Sequence, residues 1–480
     1  MIVDVSTWEM HNVIKRGDQL RTRKGLVSIG LPTSGTQYVA GFTVESPFTT
    51  EPWHYLFEQD GNTGLVTLRV LTEELVEMFN DALGFMQPSP VITYAVGSNQ
   101  ILINSPSLST PRYGLVGGGL IPAVKTASIN PTTTALDIPP GHICTFGDRA
   151  PIAQGNVVFF NDPPSASSSD PRTYVAGNVL PLPGSVYDMM QGPDGALYIF
   201  TSKDVYVMPQ DALGKGQLVT GFISAIPGVN TSRPHNAISC AAGVVALTRD
   251  AVVVLNSAGI TQRIDIAPYK GKRSFSRYVE QDDLRLSGEL YPTPDGFVVG
   301  FRGQRGHFIE VNTRLGYQSY VWSQTSSFNI VGTLRSRDGA VLYVFRDRIV
   351  MCAGNADYDA ATIRGVLCGR VLIPPNNQPV TRRISVASSS IGSLVGSYVA
   401  GQPNTSTVPA LGRDTVIGTA SWGVSQPING RETRTVRLSC YVRDTDPQIE
   451  AVYDGGDRRI EAEVDVEVTG QGKERRDGGP

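Results

Sequence analysis

The residues of this 480-residue chain that could do chemistry are scattered, not gathered. His11, His54, His142, His235 and His307 are isolated, and no Cys/His pair has the spacing of a zinc site. Cys144, Cys240, Cys352, Cys368 and Cys440 are odd in number and include no C-x-x-C. They read as buried thiols in a reducing compartment. The paired acids Glu73-Glu74 and Asp282-Asp283 are adjacent in sequence. Neighbours in a strand point to opposite faces, so neither pair can act as an acid–base couple. There is no G-x-S-x-G and no H-E-x-x-H. Gly117-Gly118-Gly119 lacks the Lys-Ser/Thr and the helix that would make it a phosphate cradle. No catalytic, metal or cofactor-binding residue is assigned, and the expectation is a protein that is not an enzyme.

What repeats instead is a turn. Asp194-Gly195, Asp295-Gly296 and Asp338-Gly339 each lead into a run of strand formers, such as Leu197-Tyr198-Ile199-Phe200. Asp bonds its own backbone and Gly supplies positive φ, so these six residues are read as structural turns. A sialidase Asp-box would need a later glycine and aromatic, which Ser336-Arg337-Asp338-Gly339 lacks. Related hairpins open at Gly155 and Gly243. The five glycines at 155, 195, 243, 296 and 339 are spaced by 40, 48, 53 and 43 residues. Hairpins recurring at that interval predict propeller blades. The expected fold is all-β with one or few helices: a β-propeller of five or six blades plus a C-terminal β region.

The elements around this repeat divide the chain into three expected domains: an N-terminal arm and β/helix region (1–89), the propeller (90–372) and a C-terminal β-rich domain (373–480). Residues 1–30 read as a charged arm, solvated or docking. Gln37–Val44 and Leu65–Val70 read as strands. A helix is expected over 72–83, capped by Thr72, with Leu75, Met78, Phe79 and Leu83 on one face and Gly84 as its stop. Val91–Asn104 reads as a hairpin, and residues 105–141 as long loops with an outer strand. Asp162–Thr173 reads as a surface loop and Pro374–Pro379 as a linker-like break. Ile460–Val468 alternates apolar and acidic side chains, placing Glu461, Glu463, Asp465 and Glu467 on one wet face. The net charge of −3 argues against a DNA-coating protein but not against one that surrounds DNA. Met1–Leu20 carries Asp4, Glu9, Lys15, Arg16 and Asp18, so no signal-peptide apolar stretch is read there.

Three segments together resemble the nozzle or hub proteins of short-tailed bacteriophages. They are Ile103-Asn104-Ser105-Pro106; Cys144–Arg149 followed by Gly155–Pro163; and Leu197–Thr201 with Asp204-Val205-Tyr206. The similar region covers roughly 90–350. The resemblance implies a homo-hexameric structural protein of the virion tail, made in the host cytoplasm. It implies contacts with adaptor or portal proteins, a tail fibre or tailspike and a tail plug. Double-stranded DNA would pass the lumen without sequence-specific binding, and no small-molecule substrate is implied. The acidic strand with Glu461, Glu463, Asp465 and Glu467 is a candidate lumen wall, its plain alternative a solvated outer face. The alternative function is a carbohydrate-binding propeller module or glycosidase, with acids drawn from several blades.

Overall fold

The structure is a computed structural model. It describes residues 2–3, 9–16, 19–45, 51–87, 90–97, 99–126, 134–162, 172–210, 224–226, 236–248, 251–265, 288–301, 305–314, 318–354, 356–359, 363–370, 381–388, 395–399, 418–424, 434–440, 448–454, 459–460 and 464–469. Outside them fall His235, Asp282, Asp283, Glu461, Glu463, most of the Asp162–Thr173 loop, the Pro374–Pro379 break and the last residues from Gly470. The chain forms two compact units. One comprises Ser28–Gln318 and Ser327–Met351; the other comprises Met1–Val27, Ser319–Ser326 and Cys352–Pro480.

The larger unit is a ring of antiparallel sheets. Blade 1 is Thr36–Val44, Trp53–Asp60, Leu65–Leu71 and Glu77–Phe85, paired in that order. Blade 2 is Thr93–Gly97, Gln100–Asn104, Arg112–Leu115 and Leu120–Pro122. Blade 3 is His142–Ile143, Ile152–Gln154, Val157–Asn161 and Tyr174–Pro181, with Ala135–Leu136 added outside. Blade 4 is Val186–Gln191, Leu197–Thr201, Val205–Met208 and Ser224–Ile226. Blade 5 is Ala237–Cys240, Gly243–Leu247, Ala251–Asn256 and Gly259–Asp265. Blade 6 contains Gly288–Thr293, Gly296–Phe301 and Arg305–Asn312. Blade 7 is Ile330–Arg335, Val341–Phe345 and Ile349–Cys352, and its outer strand is Leu26–Gly30. The described residues therefore make a seven-bladed β-propeller.

One blade cannot bury its own faces, so the core lies between blades. Tyr55, Phe57 and Val66 of blade 1 pack with Ile101 and Ile103 of blade 2. Leu102 and Tyr113 of blade 2 pack with Ile152 and Tyr174 of blade 3. Val158 and Phe160 meet Leu197 and Ile199 of blade 4. Tyr198 and Phe200 meet Val244 and Val253 of blade 5. Tyr38 and Leu56 of blade 1 pack with Leu342, Val344 and Ile349 of blade 7. Blade 7 thus takes its outer strand from the N-terminal side of the chain and its neighbour from blade 1, which closes the ring.

Four expectations are corrected here. The blades number seven, not five or six. The propeller unit begins at Ser28 and ends at Met351, not at 90 and 372. Blade 1 was missed because no Asp-Gly turn opens it; the Asp338-Gly339 hairpin belongs to blade 7, whose outer strand comes from the other end of the unit.

The helix expected over 72–83 does not form. Thr72 closes a tight turn, its N–H donating to the Val76 carbonyl at 2.9 Å, with Leu75 at φ 63°. Glu77–Phe85 then runs as the outer strand of blade 1. Phe79 and Leu83, four apart, fit a helical period and also twice the strand period. The partner strand decides between them: Leu83 is buried in the cluster shared with blade 2, and Phe79, partly buried, packs against it.

The N-terminal arm is not a solvated arm but part of the smaller unit. Ile2–Val3 pairs with Val464–Thr469, Glu9–His11 with Arg364–Arg370, and the hairpin Val13–Arg16/Gln19–Thr22 with Arg459–Ile460. The rest of that unit is β as expected: Thr381–Ser388 lies between Val464–Thr469 and Arg434–Cys440, which pairs with Gly418–Val424. Its polar centre is Arg23, fully buried. Both terminal nitrogens of Arg23 donate to the Asp357 carboxylate at 2.5 Å, and Nε donates to Asn12 Oδ1 at 2.8 Å. Trp322 covers the guanidinium, 5.5 Å from its ring centre.

Candidate functional site: the channel and its rim

The first strands of all seven blades converge on one cavity of about 760 Å³. Its wall includes Phe42 from blade 1 and Tyr94 from blade 2, stacked with centroids 4.0 Å apart. Burial, with Glu45 as the lesser cause, pushes the Tyr94 hydroxyl up to about 12. Cys144, Met189 and Met190 add sulfur-bearing wall from blades 3 and 4. Burial first, and Asp188 second, raises the Cys144 thiol well above its ordinary range, so it stays protonated. Asp188 also lines the cavity, its Oδ1 accepting from the Met189 N–H at 2.9 Å. Glu45, Arg314 and Arg335 line it as well.

The six turn residues sit between the first and second strands of blades 4, 6 and 7. Neighbouring first strands run the same way around the axis, so these turns share one rim. Gly195 and Gly339 have φ of 80° and 83°, as a turn glycine should. Gly296 does not have positive φ. Its need is different: a Cβ there would stand 2.0 Å from the Val311 carbonyl oxygen of the same blade.

Asp194 and Asp295 do more than cap their turns. Asp194 accepts from Ala196 N–H at 3.2 Å, from the Tyr198 hydroxyl at 2.6 Å and from Ser257 N–H of blade 5 at 3.1 Å. Burial and then Asp194 raise the Tyr198 phenol far above its ordinary range. Asp295 pairs with Arg314 at 3.1 Å. Asp338 accepts from Ala340 N–H at 2.9 Å, which holds its carboxyl below the usual range. Glu73 of blade 1 accepts from the Ser336 hydroxyl at 2.7 Å and Arg337 N–H at 2.8 Å, tying that turn across the ring seam. Beside it, Thr43 Oγ1 accepts from Arg335 N–H at 2.8 Å and lies 3.0 Å from His54 Nδ1.

Two further buried polar side chains singled out in the sequence hold backbone in place, Asn104 between blades 2 and 3 and Arg149 within blade 3. Asn104 is fully buried; its Oδ1 accepts from Ser105 and Gly141 N–H, and its Nδ2 donates to the Pro139 carbonyl at 3.0 Å. That side chain locks the end of a blade 2 strand to the entry of blade 3. Arg149 is buried and donates to the Asn161 carbonyl at 2.5 Å, while Ala150 N–H donates to Asn161 Oδ1 at 2.8 Å. Burial lowers the Arg149 guanidinium below its ordinary value, with Asp148 and Asp162 opposing.

Sequence reasoning missed the channel lining, because Phe42, Tyr94, Arg314 and Arg335 are brought together only by ring closure. Among the described residues no cluster of three or more His, Cys, Asp or Glu could hold a metal ion. Of the acidic strand, Asp465 and Glu467 lie on Val464–Thr469, opposite Ser385 and Arg383. Glu461 and Glu463 fall outside the described residues.

No protein-family model and no curated protein matches the chain. Solved structures similar to it are propellers and propeller-like proteins. A streptogramin B lyase is 13% identical with a TM-score of 0.42, covering 68% of this chain and 97% of its own. The Neurospora crassa Pan2 WD40 domain is 10% identical with a TM-score of 0.40, covering 69% and 95%. The Dos1 propeller is 11% identical with a TM-score of 0.34, covering 75% and 92%. At such identities the likeness concerns the fold alone.

Proposed function

We propose that this chain is a structural protein of a short-tailed phage virion. In this reading, copies assemble as a homo-hexameric ring below the portal and adaptor and form the nozzle or hub through which DNA leaves. The observation that supports it is the placement of the phage-like segments. Of the segments that carry the resemblance, Asn104 ties blade 2 to the entry of blade 3, Arg149 holds the Asn161 carbonyl within blade 3, and the Leu197–Thr201 strand fills the core between blades 3 and 4, as a scaffold would use them. Tail fibre or tailspike and plug proteins are the further partners.

The propeller's own channel is too narrow to be the DNA path. A first strand of six residues, such as Val186–Gln191, spans about 20 Å at ~3.3 Å per residue. A water-accessible volume of about 760 Å³ over that length leaves an opening on the order of 10 Å, the radius of a water molecule counted at each wall. The major groove of the duplex alone is about 12 Å wide. DNA would therefore run in a lumen between copies. Weak phosphate attraction suits such a wall, because each Lys or Arg contact adds salt-dependent grip. Arg383 opposite Glu467 makes the Val464–Thr469 region a mixed rather than purely acidic candidate wall.

Imaging of particles that carry the protein tests this reading. Six copies around the tail axis, enclosing the DNA exit, are expected. Another copy number, or density away from the axis, refutes it.

A further inference from the structure

The propeller's own channel is left without a role by the nozzle reading, and its chemistry is specific enough to name a ligand class. Its volume of about 760 Å³ lies within the roughly 300–1,000 Å³ of small-ligand pockets. Below the mouth the wall is largely apolar, with the Phe42–Tyr94 stack on one side and Met189 and Leu290 on others. At the mouth stand two guanidinium groups from adjacent blades. Arg314 follows the third strand of blade 6, and Arg335 ends the first strand of blade 7. Each is held by one surface carboxylate: Arg314 by Asp295 at 3.1 Å and Arg335 by Glu45 at 3.6 Å. All four side chains are more than half exposed, and such ion pairs contribute little, so an entering anion can replace either carboxylate. Guanidinium groups favour carboxylate, sulfonate and phosphate oxygens through paired N–H donors. Asp188, deeper on the wall, disfavours a second negative charge further in.

We infer that the central channel binds an organic anion with a single charged head and an apolar body. The head is held by Arg314 and Arg335 at the mouth, and the body lies against the Phe42–Tyr94 wall. This is a function separate from ring assembly and does not depend on it.

The test is a fluorescence titration of the full chain with 1-anilinonaphthalene-8-sulfonate, which has such a head and body. Saturable binding at one site per chain is expected, weakening as NaCl is raised. Arg314→Gln with Arg335→Gln should weaken it at least 10-fold. Ala241→Trp, an exposed lining position, should weaken it to a similar degree by filling the mouth. Met78→Asn with Phe85→Asn removes apolar side chains exposed on the outer strand of blade 1 and should change nothing. Thermal melts confirm that each variant is folded. No binding, binding indifferent to the arginine pair, or binding lost in the outer-strand variant overturns the inference. Probe binding as expected, together with another copy number on the particle, would refute the nozzle reading alone.

Discussion

Gly41 of blade 1 and Gly332 of blade 7 face each other across a parallel bridge where the ring closes. A Cβ on Gly332 would stand 2.2 Å from the Gly41 carbonyl oxygen, nearer than any real side chain comes to a backbone atom. The seam therefore depends on two bare backbones. Gly332→Ala should force them apart and cost about 2–3 kcal/mol, as overpacking a well-filled site does. Gly97→Ala, where a Cβ meets open space, should stay within about 0.5 kcal/mol. Denaturant melts of both variants check this. Equal stability would show that the seam does not need the glycines.

Next to that seam, His54 should make the protein acid-sensitive. It is fully buried, and burial lowers its pKa from 6.5 to about 4, with Glu73 opposing. The unfolded chain then binds a proton that the folded chain refuses. Stability from this group is fully present above about 6.5 and falls as pH drops towards 4. A pKa of about 4 in the folded chain against 6.5 in the unfolded one corresponds to roughly 3 kcal/mol at the lower end. The carboxylates Glu73 and Asp338, held low by hydrogen bonds, lose stability in the same direction. His54→Gln should flatten the stability curve between pH 6.5 and 4 without abolishing its slope. An unchanged curve would refute the assignment.

In the smaller unit, Asp357→Asn should cost about 3–5 kcal/mol, because it leaves the fully buried Arg23 charge uncompensated. Replacing both, Arg23→Met with Asp357→Leu, should recover much of that loss, since the pair's desolvation cost disappears with its attraction. Urea unfolding of the single and double variants decides it. Additive losses would mean that the two residues do not act as a pair.

The sequence made the middle of the propeller legible and left its two ends obscure. Asp194-Gly195 and Asp338-Gly339 were readable because φ above zero and a short polar side chain are local demands. The blade count was not. Gly155 opens the turn between the second and third strands of blade 3, one strand later than Gly195 does in blade 4, so the spacing was not uniform. Blade 7's outer strand, Leu26–Gly30, lies some 300 residues from its partner Ile349–Cys352, a separation no local pattern reports. The N-terminal arm looked solvated because Lys15, Arg16, Arg21 and Lys24 crowd it. Its alternate residues Val13, Leu20 and Thr22 are nonetheless buried, and Arg23 has its buried carboxylate 334 positions away. Of the candidate site, the rim turns were legible singly. The channel they surround was not, because its lining comes from seven blades.

The three rim glycines should respond to substitution for two different reasons. Valine at Gly195 or Gly339 would have to adopt φ near 80°, where a β-branched side chain clashes with its own backbone. Around Gly339 nothing else lies within 4 Å, so the cost there is conformational alone, about 1–2 kcal/mol. Asparagine tolerates that region, so Gly339→Asn should lose clearly less than Gly339→Val. At Gly296 the backbone is ordinary and the obstacle is the Val311 carbonyl oxygen. Asparagine carries the same Cβ as valine and should be no better tolerated there. Thermal melts of Val and Asn variants at 296 and 339 separate the two causes. If asparagine rescues Gly296 as well as Gly339, the close approach to Val311 is not what holds that position to glycine.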